Sequence, residues 1–315
     1  MAKRLILLLI ALSLALAGCT RAASSEKTLR IAVLPVLDSL PLYVAQANGY
    51  FDEEGIKVEL VPVGSAPERD QLMQSGQIDG MLNEVVTTLT YNRDGAKIKI
   101  VRFARVATAD YPVFRILAAK DSGIASVADL KGVEIGVSEG TVIEYMADRV
   151  LQNAGLSADE IAKIGVPKIA DRTALLESGQ LKAAVMPDPL ASLLMQKGAT
   201  LVIDDTTLPE VSNSVYSFSV ETLKQYPQEV KAFLRAVERA VTEINQNKDA
   251  YTNLMVEQKL VPEAAVGHYA IPDFPTASVP SQAQFDDALA WAQGKGLVQG
   301  ALKYQDNIDS GYLPK

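Results

Sequence analysis

The chain has 315 residues, a formal net charge of −8 and a sequence pI near 4.9. That acidic balance argues against nucleic acid and against a polybasic membrane surface as partners. One cysteine and one histidine leave no disulfide framework and no Cys/His cluster for zinc or iron.

In chain order, residues 1–18 read as a signal peptide. Lys3 and Arg4 form a basic region, and Leu5–Ala17 is apolar but too short to span a bilayer. Leu16-Ala17-Gly18-Cys19 resembles a bacterial lipobox, which implies Cys19 as an acylated first residue. Residues 19–27 are small and polar, a tether. Without Lys3 and Arg4 the mature chain has 28 basic against 38 acidic residues, a net −10. Its length exceeds one typical core, so two lobes are expected.

Leu29–Leu34 is a nearly continuous apolar run, which suits a strand covered on both faces. Pro35 stops it. Leu40–Asn48 reads as a helix, with Asp38 or Ser39 as its N-cap, Pro41 in the first turn and Asn48-Gly49 as its stop. In open α/β sheets ligands bind beyond the carboxyl ends of strands, at helix N-termini. Asp38 and Ser39 are therefore a candidate wall of a site, although capping alone would explain them. The helix runs into N-G-Y-F-D-E-E-G-I-K-V, residues 48–58, and then a second strand, Lys57–Val63.

That phrase resembles the periplasmic substrate-binding proteins of ABC importers, in the branch serving nitrate, sulfonates, taurine and thiamine-precursor pyrimidines. The resemblance implies an α/β fold of the type II periplasmic-binding-protein class. Two lobes, each a mixed, mostly parallel sheet flanked by helices, would join through a two-strand hinge. It also implies an exported, lipid-anchored monomer that hands a small-molecule ligand to an ABC permease with its ATPase subunit. Lobe 1 would take residues 28–119 and 214–315, and lobe 2 residues 120–213.

Ala66–Ser75 reads as a helix, followed by Gly76-Gln77-Ile78-Asp79-Gly80 and a short strand. In relatives the residues after that strand face the ligand, here Asn83, Glu84 and Thr87. Ile98–Arg105 and Val113–Ala119 read as strands. Asp121-Ser122-Gly123-Ile124 and Asp129-Leu130-Lys131-Gly132 match the family's passage into the second lobe. After strand 133–137, Ser138-Glu139-Gly140-Thr141 opens a helix at Val142, a turn that offers N–H groups and hydroxyls to a ligand. Glu139 would repel an oxyanion unless it points outward.

The pattern of residues 72–82 returns in lobe 2, where Gly179-Gln180 leads into Leu181–Met186. Asp188, just beyond, is then the counterpart of Glu84, though a loop cap is an equally good reading. Thr200–Asp204 and Asn213–Ser219 read as strands. Crossings between the lobes are expected near 119–123 and 211–216. Leu223–Gln246, Ala250–Gln258, Ala264–His268 and Gln282–Lys295 read as helices, and Trp291 reads as a packing residue.

The candidate ligand residues are Asp38, Ser39, Asn83, Glu84, Arg115, Ser138, Glu139, Gly140, Thr141, Asp188 and Tyr216. Asp38, Glu84, Glu139 and Asp188 favour a ligand with amine or ring N–H donors, such as a thiamine-precursor pyrimidine or a flavin. Arg102, Arg105 and Arg115 near the strand ends favour an anion such as an alkanesulfonate, taurine or nitrate. Tyr111 and Tyr216 offer rings for stacking. The expectation is that the chain is not an enzyme. The lone His268 supports no Ser–His–carboxylate set, and there is no phosphate-binding G-x-x-x-x-G-K-[ST] loop. Pyrimidine synthases of thiamine biosynthesis share the architecture, but use a Cys-rich loop and a His that this chain lacks.

Overall fold

The computed structural model describes residues 27–266 and 269–314. The expected signal peptide, Cys19, most of the tether and His268 lie outside the described residues.

Among the described residues, ten strands make two five-stranded sheets. They are β1 (Thr28–Val33), β2 (Lys57–Pro62), β3 (Gly80–Asn83), β4 (Ile98–Val106), β5 (Phe114–Ala118), β6 (Ile135–Val137), β7 (Lys163–Gly165), β8 (Ala183–Pro187), β9 (Thr200–Asp204) and β10 (Asn213–Ser219). The first sheet runs β2-β1-β3-β10-β4 and the second β7-β6-β8-β5-β9. The two orders match place for place. In each sheet the fourth strand, β10 or β5, is antiparallel to both neighbours, while β1, β2 and β3, and likewise β6, β7 and β8, pair in parallel.

The helices are α1 (Leu40–Ala47), α2 (Tyr50–Glu53), α3 (Ala66–Gln74), α4 (Val85–Tyr91), α5 (Val142–Asn153), α6 (Ile169–Glu177), α7 (Leu190–Gln196), α8 (Val220–Gln225), α9 (Pro227–Gln246), α10 (Thr252–Glu257), α11 (Gln282–Gly294) and α12 (Tyr304–Asn307). Gly49, at φ +74°, separates α1 from α2 in a left-handed turn that favours glycine. Pro227 starts a new helix after Tyr226, so the stretch expected as one helix from Leu223 is α8 followed by α9. Among the described residues no helix is long and apolar enough to cross a membrane.

β5 pairs with β8 and β9, not with the first sheet, so the chain first passes between sheets at residues 107–113 rather than 119–123. The Asp121–Gly123 stretch is instead a tight turn at the far end of β5, with Asp121 and Gly123 both at positive φ. The return lies at residues 205–212. Asp205 fastens the two passages together. Its carboxylate accepts from the backbone N–H groups of Val113 and Phe114, at 3.1 and 2.9 Å.

Burial pushes the Asp205 carboxyl up to about 6, against the pull of those N–H groups. A folded acid value raised above its unfolded one means that the folded state holds the proton more tightly. Stability from this group therefore falls as pH rises from about 4 to 6, by about 3 kcal/mol for a shift of roughly two units. Urea denaturation of wild type and Asp205→Asn at pH 4.5 and 7 is expected to show this loss in the wild type and a flatter profile in the variant. An unchanged slope in Asp205→Asn would assign the pH dependence elsewhere.

The lobes also share core. One apolar cluster joins Val86 and Leu89 of α4 and Phe103 of β4 to Ile116 of β5, Val137 of β6 and Met146 of α5, with Trp291 of α11 among them. Trp291 packs edge-on against Tyr145 at 5.5 Å, and its Nε1–H donates to Asp148 at 2.9 Å.

Candidate functional site

A cavity lies between the carboxyl ends of the two sheets, where ligands sit in open α/β folds. It offers about 630 Å³ of space between atoms, part of it open to solvent. The first lobe supplies Val36 and Asp38 from the loop after β1, Ser65 and Ala66 at the start of α3, Leu82 and Glu84 at the end of β3, and Ser214 of β10. The second supplies Val113 and Phe114, then Ser138 and Thr141 before α5, Ile169 and Arg172 of α6, and Pro187 at the end of β8. Most of the wall is apolar, with a few polar groups converging on it, as small-molecule sites usually are.

The carboxylates are engaged by the protein itself. Asp38 accepts from Arg105 at 3.2 Å and from the Ser214 hydroxyl at 2.6 Å. Glu84 accepts from Arg69 at 3.1 Å and from the Thr87 hydroxyl at 2.6 Å. Asp188 accepts from Arg115 at 2.6 Å and from the N–H and hydroxyl of Ser192 at 3.0 and 2.8 Å. Arg105 is buried and ties both lobes, donating to Asp38 on one side and to the carbonyl of Asp188 on the other. It also reaches the carbonyl of Pro112 and the Tyr269 hydroxyl.

Of the residues expected at the site, Asp38, Glu84, Ser138 and Thr141 line the cavity. The others are placed differently, each for a visible reason. Ser39 turns back to donate to the carbonyl of Leu34 at 2.8 Å and makes no side-chain cap. Asn83 is buried between Thr88 and Ser217, a bridge from β3 to α4 and β10. Glu139 is exposed, its carboxylate beside Gly165 of β7. Gly140 spends its N–H on Glu144 at 2.8 Å. Asp188 and Arg115 hold each other just behind Pro187, and Arg115 also reaches Asp204. Tyr216 is buried edge-on against Phe233 and leaves no face for stacking. Tyr111 is exposed outside this cavity, and Arg102 is paired with Glu238.

Two groups in the wall stand out. The Ser138 hydroxyl is buried and has no hydrogen-bond partner among the described residues. Arg172 is buried, donates to the carbonyls of Val185 at 2.8 Å and Val166 at 2.6 Å, and faces no carboxylate among the described residues. Desolvation lowers its value to about 10, with no charge partner to restore it. Arg172 was absent from the sequence candidates. Among the described residues no cluster of three His, Cys, Asp or Glu side chains is placed to hold a metal ion.

The family model described as NMT1/THI5 like matches residues 37–250, which include every residue that lines the cavity except Leu34 and Val36. The chain belongs to the NMT1/THI5-like family. One relative, the 4-amino-5-hydroxymethyl-2-methylpyrimidine phosphate synthase of Aspergillus parasiticus, is 27% identical over 64% of this chain and 61% of its own length. The chain thus spans about three fifths of the curated relatives it matches. Among solved structures, the alkanesulfonate-binding protein SsuA of Xanthomonas axonopodis pv. citri, bound to MOPS, superimposes with a TM-score of 0.77 at 21% identity. That match covers 91% of this chain and 99% of SsuA. The periplasmic aliphatic sulphonate-binding protein SsuA of Escherichia coli gives 0.75 at 20% identity, over 90% and 98%. At those identities the likeness is one of fold. The synthase names correct the expectation that the chain is not an enzyme, because several of its curated relatives are named for catalysis, while one from Brucella abortus, 26% identical over 62% of this chain, is named a putative binding protein.

Proposed function

We propose that this protein is the extracytoplasmic solute-binding component of an ABC importer. In this reading it is held at the membrane by a lipid on Cys19, closes its two lobes over a small molecule, and presents that molecule as a monomer to the permease and its ATPase subunit. The observation that carries the reading is the cavity walled by the carboxyl ends of both sheets, so that opening the lobes would open the site. The lipobox-like sequence ending at Cys19 and the fold shared with alkanesulfonate-binding proteins support it.

The preference for a ligand rich in N–H donors loses its basis. It needed free carboxylates, and Asp38, Glu84 and Asp188 each already face an arginine. An enzymatic reading is favoured by the relatives' synthase names, and it predicts formation of a pyrimidine phosphate rather than reversible capture of a ligand.

One variant tests the transport reading. Cys19→Ser is expected to move the protein from the membrane fraction to the soluble one. Small-angle scattering of that soluble form is expected to show contraction with ligand. Retention in the membrane would remove the lipid anchor, and a tight binder that causes no contraction would remove lobe closure.

A further inference from the structure

The two lobes carry the same local device, and only one copy is neutralised. Arg69-x5-Ser75-Gly76-Gln77 in the first lobe aligns with Arg172-x5-Ser178-Gly179-Gln180 in the second. The correspondence is structural as well. Each arginine leaves the helix before the glycine turn and donates to a carbonyl 13 residues further on, Arg69 to Leu82 at 3.0 Å and Arg172 to Val185 at 2.8 Å. Both carbonyls belong to the third strand of their sheet, β3 and β8.

The surroundings then diverge. Arg69 has Asp70 beside it at 2.9 Å and Glu84 at 3.1 Å. The matching positions in the second lobe are Thr173 and Pro187, which carry no charge; the counterpart of Glu84 is thus Pro187 and not the expected Asp188, one residue further on. Among the described residues, Arg172 is therefore a buried guanidinium in the cavity wall without a counter-charge. A buried cation is costly unless it is paired. The unpartnered Ser138 hydroxyl lines the same cavity. So do Thr141 to Ile143, at the N-terminal end of the 12-residue helix α5, which favours negative charge.

We propose that Arg172 is the counter-charge for an acidic group on the ligand, with Ser138 as a second donor, so that the ligand is a small organic anion with an apolar body. This rests on the solute-capture reading and names its ligand class. Of the carboxylates of the first-lobe wall, Asp38 faces Arg105 and Glu84 shares Arg69 with Asp70, whereas Arg172 faces no carboxylate among the described residues. Carboxylate, sulfonate and phosphate groups share the chemistry required, a planar or tetrahedral oxyanion that accepts from a guanidinium and a hydroxyl.

Isothermal titration of the mature protein compares benzoate, benzenesulfonate and phenyl phosphate with neutral benzamide and cationic benzylamine. At least one anion is expected to bind roughly tenfold or more tightly than benzamide, and which one identifies the acid group. Thr173→Asp restores the neighbour that Arg69 has in Asp70, at a half-buried helical position that tolerates the change. It is expected to weaken the anion by about ten- to a hundredfold and to leave benzamide unchanged. Arg172→Met is expected to weaken the anion by a similar factor, and Arg172→Lys to retain part of the preference. Benzamide or benzylamine matching every anion, no anion binding at millimolar concentration, or Thr173→Asp binding the anion unchanged would each overturn the assignment. Scattering separates this from the solute-capture reading. Contraction without anion preference sinks only the role of Arg172, and anion preference without contraction sinks only lobe closure.

Discussion

Arg69→Met is expected to lower the free energy of unfolding by about 3–5 kcal/mol. The guanidinium is fully buried and serves four partners at once: Asp70, Glu84, the carbonyl of Leu82 and the Thr87 hydroxyl. Methionine fills much of the same volume but leaves the largely buried Glu84 without its cation, and an uncompensated buried charge dominates the cost. Arg172→Met supplies the control. Its arginine holds two carbonyls and no carboxylate, so its removal strands no opposite charge and costs no more than about 1–2 kcal/mol. Urea denaturation followed by circular dichroism measures both. Equal losses would mean that the counter-charges around Arg69 contribute little, and the contrast between the two lobes would lose its energetic meaning.

Trp291→Ala is expected to cost a similar amount, about 3–5 kcal/mol, through the cavity left in the shared core. Charge does not confuse this one, because Asp148 keeps Lys163 at 2.5 Å and Lys295 at 2.9 Å after the indole is gone. The indole lies where α11 touches both lobes, so the lost packing also loosens their coupling. A loss under about 1 kcal/mol in the same denaturation experiment would show that the neighbouring side chains collapse into the space and that the shared core is not held by this residue.

The sequence made the strands legible where apolar runs end at turn residues. Thr200–Asp204 and Asn213–Ser219 have the bounds expected, and β1 differs by a residue at each end. Helix α4 was not legible. Its sequence, VVTTLTY, is rich in β-branched residues with low helix propensity, and burial against α11 and β4 overrides that preference. Their place after strands leads to Asp38, Glu84, Ser138 and Thr141, which line the cavity, but it does not show their bonding. Whether a carboxylate is free depends on arginines up to 73 positions away, as with Arg115 and Asp188. Arg172 was missed because an arginine in an amphipathic helix ordinarily reads as a solvated face. The signal was present all the same: extending the repeated Ser-Gly-Gln turn six residues upstream aligns the two arginines.

The order of strands along the chain has a consequence for how the molecule is assembled. All five strands of the second sheet lie between residues 114 and 204, whereas the first sheet needs β10, at residues 213–219, to join β3 to β4. A chain emerging N-terminus first therefore holds three paired strands and one stranded one, β4, until the second sheet has been made in full. The two ends of that inserted segment lie side by side, with Arg115 opposite Asp204 in the ladder, so closing it off strains nothing. The second lobe is thus a loop folded to completion inside an unfinished partner, and the first lobe waits for its own C-terminal third.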